Sequence, residues 1–406
     1  MKRTVVNLLF LAAALSIFAE FAVDVGVVNL NITNTLILII GSLMCLRVLL
    51  RKKLPIYTAK IFILSSLLVV FYTTSLRVES VAGHLRTVIT LSKGLVLVIL
   101  VVYWLDRYEE VRLVAMGLVI AGIIALTGSF LQGYVGIGEN FFPGSPDTSR
   151  LRKLGFRTNV VRTPGLLEGW GLFGVYVESA ALLCATGFLR QGRRQGVPVL
   201  VAYAGLGVAF IGLIMSQSRS GLVSTLVGYA VFFILYLKVY SEYNFIKLTP
   251  LITMCVAILV WLSYPLVNVI YSLNVEAVIT RLVGYEKALE EMYRNPVFGI
   301  GFDNVSDKLK YYHSVHNGYL NVAASGGLIA FLLYAYLNVK AIKGGLHCLS
   351  PFDQRAPLAI ALLSAFAATV VETMLWAGGA FASAPYLIIG LLIALGRSNF
   401  RHPVGA

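Results

Sequence analysis

Apolar residues in this chain gather into long runs separated by short polar stretches, and the runs recur from one end of the sequence to the other. Crossing the hydrocarbon core of a bilayer takes about 20 apolar residues in an α-helix. On that measure the pattern predicts helices near 5–23, 33–50, 57–75, 87–105, 112–131, 166–189, 197–216, 221–238, 250–272, 319–339, 357–376 and 381–396, about twelve spans. Two longer polar stretches, 132–165 and 273–318, interrupt them. The first run follows Met1, Lys2 and Arg3, and no small-residue cleavage site clearly ends it, so it reads as an uncleaved helix. The expected architecture is an all-α, polytopic transmembrane bundle forming a single integral membrane domain over 1–406, without repeats, low-complexity tracts or linkers.

Composition agrees with that pattern. Of 406 residues, 58% are hydrophobic and only 13% charged, and the mean hydropathy of +0.83 lies far outside the range of soluble domains. A net charge of +14 would suit a nucleic-acid binder if it were gathered in one place. It is instead scattered through short loops, which points to membrane topology. Cys45, Cys184, Cys255 and Cys348 share no short metal-type spacing, so neither a disulfide framework nor a zinc site is expected.

Lysine and arginine in short loops set the orientation, because cytoplasmic loops retain positive charge. One set of loops holds Arg51, Lys52 and Lys53; Arg107 and Arg112; Arg190, Arg193 and Arg194; Lys238 and Lys247; and Lys340, Lys343 and Arg355. Both termini fall on that side and are expected in the cytoplasm. The two long loops then face outward, yet they carry Arg150, Arg152, Lys153, Arg157 and Arg162, then Arg281, Lys287, Arg294, Lys308 and Lys310. Most of these are ordinary solvated loop charges or headgroup contacts, but their excess on the outward side also suits an anionic ligand. Inside the second loop Val278, Leu282, Leu289 and Met292 recur at helical spacing, with Glu290 and Arg294 set to pair at i, i+4. A short amphipathic helix on the membrane surface is expected there, ended by Asn295, Pro296, Gly299 and Gly301. No strand precedes Gly299-Ile300-Gly301, so turn geometry rather than nucleotide binding is its expected role.

Two places carry chemistry. Ser218, Arg219, Ser220 and Gly221 interrupt two apolar runs at their outer end. A charge at the bilayer centre costs about 2.5–3.5 kcal/mol on insertion scales, less near the interface, so the guanidinium either snorkels to headgroups or holds an oxyanion. Neighbouring hydroxyls and glycine favour the oxyanion. His316 and Asn317 follow a polar loop and precede the tenth span, with His313 a competing imidazole. A histidine with a pKa of about 6.5 can take a proton from a hydroxyl near neutral pH, though a lone interfacial histidine is more often structural.

Ser218-Arg219-Ser220-Gly221, Arg281 followed by Asn295-Pro296-Val297-Phe298-Gly299-Ile300-Gly301, and His316-Asn317-Gly318-Tyr319-Leu320 with Gly326 and Gly327 downstream together resemble the O-antigen ligases and the related O-antigen and exopolysaccharide polymerases of bacterial envelopes. The resemblance covers about residues 155–345, and Arg162-Thr163-Pro164-Gly165 is similar to the basic stretch ahead of a helix in that family. It implies a C-type glycosyltransferase-like bundle in the inner membrane. The implied reaction is metal-independent and inverting, without a cofactor. It would move a glycan from undecaprenyl diphosphate to another glycan or to lipid A core on the periplasmic face, with no nucleic-acid partner.

Chemistry agrees with that implication. Cations aimed at a departing diphosphate stabilise its growing charge, and guanidinium forks suit phosphate oxygens better than lysine. Arg219 and Arg281 are assigned to the diphosphate, with Arg162, Arg157, Lys93, Ser218, Ser220 and Asn317 as further substrate contacts and His316 as the group that readies the acceptor hydroxyl. Lys93, Glu178 and Glu372 are intramembrane charges; the carboxylates are expected to pair structurally. A transporter or flippase of lipid-linked glycan is the alternative. It would place its sites near the midplane of two related halves, and only Lys93 and Glu178 hint at that. A purely structural subunit would leave the outer arginines and histidine unexplained.

Overall fold

The computed structural model describes residues 3–16, 22–24, 29–51, 55–73, 81–131, 180, 183–184, 219–240, 275–301, 315, 317–375 and 383–397. The described helices are α1 (Arg3–Ser16), α2 (Ile32–Arg51), α3 (Ile56–Thr73), α4 (Val81–Trp104), α5 (Tyr108–Phe130), α6 (Arg219–Tyr240), α7 (Val275–Arg294), α8 (Gly318–Leu346), α9 (Ala356–Leu375) and α10 (Ser383–Leu395). Five of them, α2, α5, α6, α8 and α9, are long and apolar enough to cross a membrane. The predicted spans 197–216 and 250–272 lie outside the described residues, as does nearly all of 166–189.

The described residues form an all-α bundle, as expected, with one addition. A short antiparallel hairpin, β1 (Ala22–Asp24) and β2 (Asn29–Asn31), joins α1 to α2, pairing Ala22 with Asn31 and Asp24 with Asn29. Ala22 and Val23 had been expected inside the first helix. At the foot of the hairpin the hydroxyls of Ser16 and Thr33 lie 3.0 Å apart, and Thr33 Oγ1 donates to the Ser16 carbonyl at 2.8 Å. These bonds satisfy backbone and hydroxyl groups where α1 ends and α2 begins.

The centre of the bundle is α10. From Ala384 to Leu395 every residue is buried, against α4, α5, α8 and α9. A helix apolar on all sides belongs in such a place. Small residues set the spacing around it: a Cβ on Gly390 would sit 3.1 Å from Val101 Cβ, and one on Gly94 would meet the Tyr386 ring at 2.7 Å. Outward-facing Leu38, Leu46, Leu49, Ile63, Ile234 and Leu332 form the exposed apolar belt expected of a lipid-facing surface.

Helices α6 and α9 run antiparallel in close contact. Tyr240, Val239 and Phe232 pack on Ala356 and Ile360 at one end, Gly228 lies over Ala368 and the Ser364 carbonyl in the middle, and Ser220 and Ser224 reach Glu372 at the other. A Cβ at Gly228 would come within 2.5 Å of Leu183 Cδ1 and 3.0 Å of both Ala368 Cβ and the Ser364 carbonyl oxygen. Gly228→Val should therefore force the two helices apart and cost about 1–3 kcal/mol. Thermal unfolding of the purified variant in detergent measures this, and an unchanged midpoint would contradict the packing.

The two ends of the bundle differ in charge. One gathers Lys238, Lys343, Arg355, Arg397 and Arg107, from the loops and terminus expected in the cytoplasm, with Arg47 of α2. There Arg355 grips Asp353 through Nη2 at 2.7 Å and donates from Nη1 to the Leu395 carbonyl at 3.2 Å, placing a cation at the C-terminus of α10. Arg397 reaches Thr58 Oγ1 at 3.4 Å, and the Arg47 guanidinium stacks 4.7 Å from the Trp104 ring. The opposite end holds the first turns of α6 and α8, the last turn of α9, and α7.

Candidate active site

The predicted span 319–339 exists as part of α8, but it is not straight. Tyr319 and Tyr334 are fifteen positions apart, about 22 Å along an unbroken helix. Their ring centroids are only 5.6 Å apart. The helix folds back at Gly327, whose φ of 72° and ψ of −175° are open to glycine and strained for other residues. Carbonyls freed at this elbow need new donors, since unpaired backbone groups are costly in an apolar setting.

The stretch after α7 supplies them. Ile300 N–H donates to the Ala324 carbonyl at 2.9 Å and Gly301 N–H to Ser325 at 2.8 Å, while Leu328 N–H donates to the Pro296 carbonyl at 2.8 Å. Gly299 and Gly301 have φ of 66° and 82°. The two glycine motifs of the sequence are thus two sides of one joint, and turn geometry is the role of Gly299-Ile300-Gly301.

The fold-back carries the front of α8 into the bundle. Asn317 caps it by accepting a hydrogen bond from Leu320 N–H at 3.0 Å. Gly318 is buried, and Tyr319 leads through Tyr334 to Tyr386, whose ring centroid lies 6.4 Å from that of Tyr334.

Helix α7 is the expected amphipathic helix. Ile279, Leu282, Leu289 and Tyr293 form its exposed apolar stripe, and Glu290 pairs with Arg294 at 2.6 Å and Lys287 at 3.0 Å. Those cations hold the Glu290 carboxyl below its usual pKa, Lys287 first. Ala288 and Tyr285 pack on Ala324, Ile300 and Leu320. Arg281 stands four and seven positions before Tyr285 and Ala288, so it shares their inward face. It remains solvent-accessible.

Glu372, on α9, closes the arrangement. It is 0% exposed, and both carboxylate oxygens lack a hydrogen bond of good geometry. The nearest polar groups are the hydroxyls of Ser220 and Ser224, one helical turn apart on α6, and the charge of Arg281 acts on it from α7. Ser224 Oγ donates instead to the Gly221 carbonyl at 3.0 Å. Arg219 opens α6 beside Ser220.

Of the residues singled out by sequence, Arg281, Ser220, Asn317 and the start of α6 thus fall at one end of the bundle. Lys93 lies on α4 next to Gly94, half-buried and already engaged by its surroundings. Ser218, Arg157, Arg162, Glu178, His313 and His316 lie outside the described residues, as does the side chain of Arg219. The partnership of Glu372 with Ser220 and Ser224 was missed. The signal available was a serine pair at i, i+4 on one apolar helix and an acid on another.

A helical membrane protein with a polar, arginine-bearing cluster at one end of its bundle is the class these features define. Residues 204–335 match the family model described as O-antigen ligase, so that segment of the chain is similar to that family. The matched stretch contains α6, α7, the glycine joint and the front of α8. No match emerges among curated proteins.

Proposed function

We propose that this protein transfers a glycan from undecaprenyl diphosphate to an acceptor sugar at the periplasmic face of the inner membrane, as an O-antigen ligase or polymerase. The observation that carries the reading is the family match over the segment that holds α6, opened by Arg219, and α7, which carries Arg281 on the face shared with Tyr285 and Ala288. Two arginines on different helices, Arg219 at the start of α6 and Arg281 on α7, carry the guanidinium forks that suit a diphosphate, which gains charge as the C1–O bond breaks. The N-terminus of α6 adds a favourable field for an anion.

His316, next in sequence to the capping residue Asn317, takes the proton of the acceptor hydroxyl as that oxygen attacks C1 from the face opposite the diphosphate. The anomeric configuration inverts, and undecaprenyl diphosphate departs. Ser218, Ser220, Asn317, Arg157, Arg162 and Lys93 are further contacts for the donor or acceptor. Both chain termini lie in the cytoplasm, on the side of the basic loops.

Purified full-length protein supplied with a polyisoprenyl diphosphate-linked repeat unit, with and without lipid A core, tests the proposal. A ladder of products identifies a polymerase, and a single acceptor-dependent product a ligase. Absence of any product overturns the reading. Activity is expected to survive EDTA, and complete loss restored by a divalent ion would refute the metal-free route.

A further inference from the structure

Asn321 is a polar side chain that both the transfer chemistry and the packing leave unused. It lies on the front arm of α8, the nine residues from Gly318 to Gly326 that fold back at Gly327. The fold-back runs deep, since the Tyr319 ring meets Tyr334, which in turn meets Tyr386 on the enclosed α10. The first turn of the arm therefore lies within the bundle, with Gly318 buried and Asn321 only 8% exposed. The Oδ1 of Asn321 is closed to solvent and has no hydrogen-bond partner among the described residues.

Other buried polar side chains of α8 are spent on their own helix. Ser325 Oγ donates to the Asn321 carbonyl at 2.6 Å, and Asn338 Nδ2 to the Tyr334 carbonyl at 2.8 Å. Asn317 Oδ1 accepts the Leu320 N–H, so the cap of the helix is already filled. Asn321 stands one turn beyond Asn317 on the same face, and helical side chains lean toward the N-terminus. Its amide thus leans back toward Asn317, which is half-buried and so within reach of a ligand. Packing alone would favour leucine, which has nearly the same shape and is easier to bury than an unpaired amide.

The orphan atom selects its ligand. An amide oxygen needs a donor, and an ionised phosphate offers none, whereas a sugar hydroxyl donates and accepts and so satisfies either end of the amide. We propose that Asn321 is a specificity residue that accepts a hydrogen bond from a hydroxyl of the glycan bound beside Asn317. The inference rests on the glycan-transfer reading and adds to it a residue that reads the sugar and ignores the diphosphate.

Asn321→Leu removes the amide at nearly constant shape, and Asn321→Ala removes it with no chance of a clash. The leucine variant should melt at or above the wild-type temperature, because an unpaired buried acceptor is lost. Purified full-length proteins in nanodiscs are titrated with undecaprenyl diphosphate, with the repeat-unit oligosaccharide freed of its lipid, and with lipid A core oligosaccharide. Both variants should bind undecaprenyl diphosphate as the wild type does, and the glycan that the wild type prefers about tenfold more weakly, the loss of one hydrogen bond. Unchanged glycan binding, an equal loss for glycan and undecaprenyl diphosphate, a wild type that binds neither glycan, or a leucine variant less stable than the wild type would overturn the role of Asn321. Wild-type protein that forms no product overturns the functional reading itself, whereas wild-type transfer with two indifferent variants removes only the inference.

Discussion

Replacing Gly327 by alanine should cost this protein both its thermal stability and its activity. At φ 72° and ψ −175° an L-residue is strained by about 1–3 kcal/mol. The new methyl group would also sit 2.7 Å from the backbone nitrogen of Phe298. Backbone cannot step aside as a side-chain tip does, so the overpacking adds about 1–3 kcal/mol more. Relief would require undoing the three main-chain hydrogen bonds that join Pro296, Ile300 and Gly301 to the elbow of α8. Gly299→Ala should behave alike, with its methyl group 2.5 Å from the Ser325 carbonyl carbon. Gly41→Ala is the control: nothing lies within 4 Å of its Cβ, and alanine is favoured over glycine within a helix. Yield and melting temperature in detergent should fall sharply for the first two variants and hold or rise for the third. A Gly327→Ala protein as stable as the wild type would show that the elbow is not as described.

Arg281→Ala should abolish transfer while leaving the fold intact. The side chain is exposed and makes no ion pair among the described residues, so the melting temperature should move little. Preorganised donors aimed at developing charge contribute about 10²–10³ in rate each, and losses of that size in product formation are expected. Arg281→Lys should recover only part, because a point charge cannot present a fork to two phosphate oxygens. Arg219→Ala and His316→Ala should each be as damaging. Combining them should add little, since groups that act as a unit are not additive. Near wild-type turnover by any one of the single variants would remove that residue from its assigned role.

Much of this architecture could be read from hydrophobic runs. The predicted helices 33–50, 112–131, 221–238 and 357–376 each fall within two or three residues of α2, α5, α6 and α9 at most ends. Where a helix lies on a membrane surface, amphipathic spacing was enough, and both α7 and the Glu290–Arg294 pair were legible. The elbow of α8 was not. Apolar residues continue on both sides of Gly327, so hydropathy alone reads one span, and the bonds that make a sharp reversal tolerable come from a segment some 25 positions earlier. The β1–β2 hairpin was hidden in the same way, because Ala22 and Val23 extend an apolar run. Glu372 was noticed as an intramembrane acid, but a structural pairing partner was expected. Its carboxylate instead has two serines and a more distant arginine as its nearest company.

The position of α10 bears on how the molecule is assembled. Last of the described helices in chain order, it is also the most completely enclosed. At 13 residues it measures about 20 Å, well short of the bilayer's hydrocarbon thickness. Helices that leave the ribosome earlier must therefore settle around an unfilled slot and close on it only when Ser383–Leu395 arrives. Until then α4, α5, α8 and α9 expose to lipid the surfaces that finally face one another, and the keystone of the bundle is set after its walls.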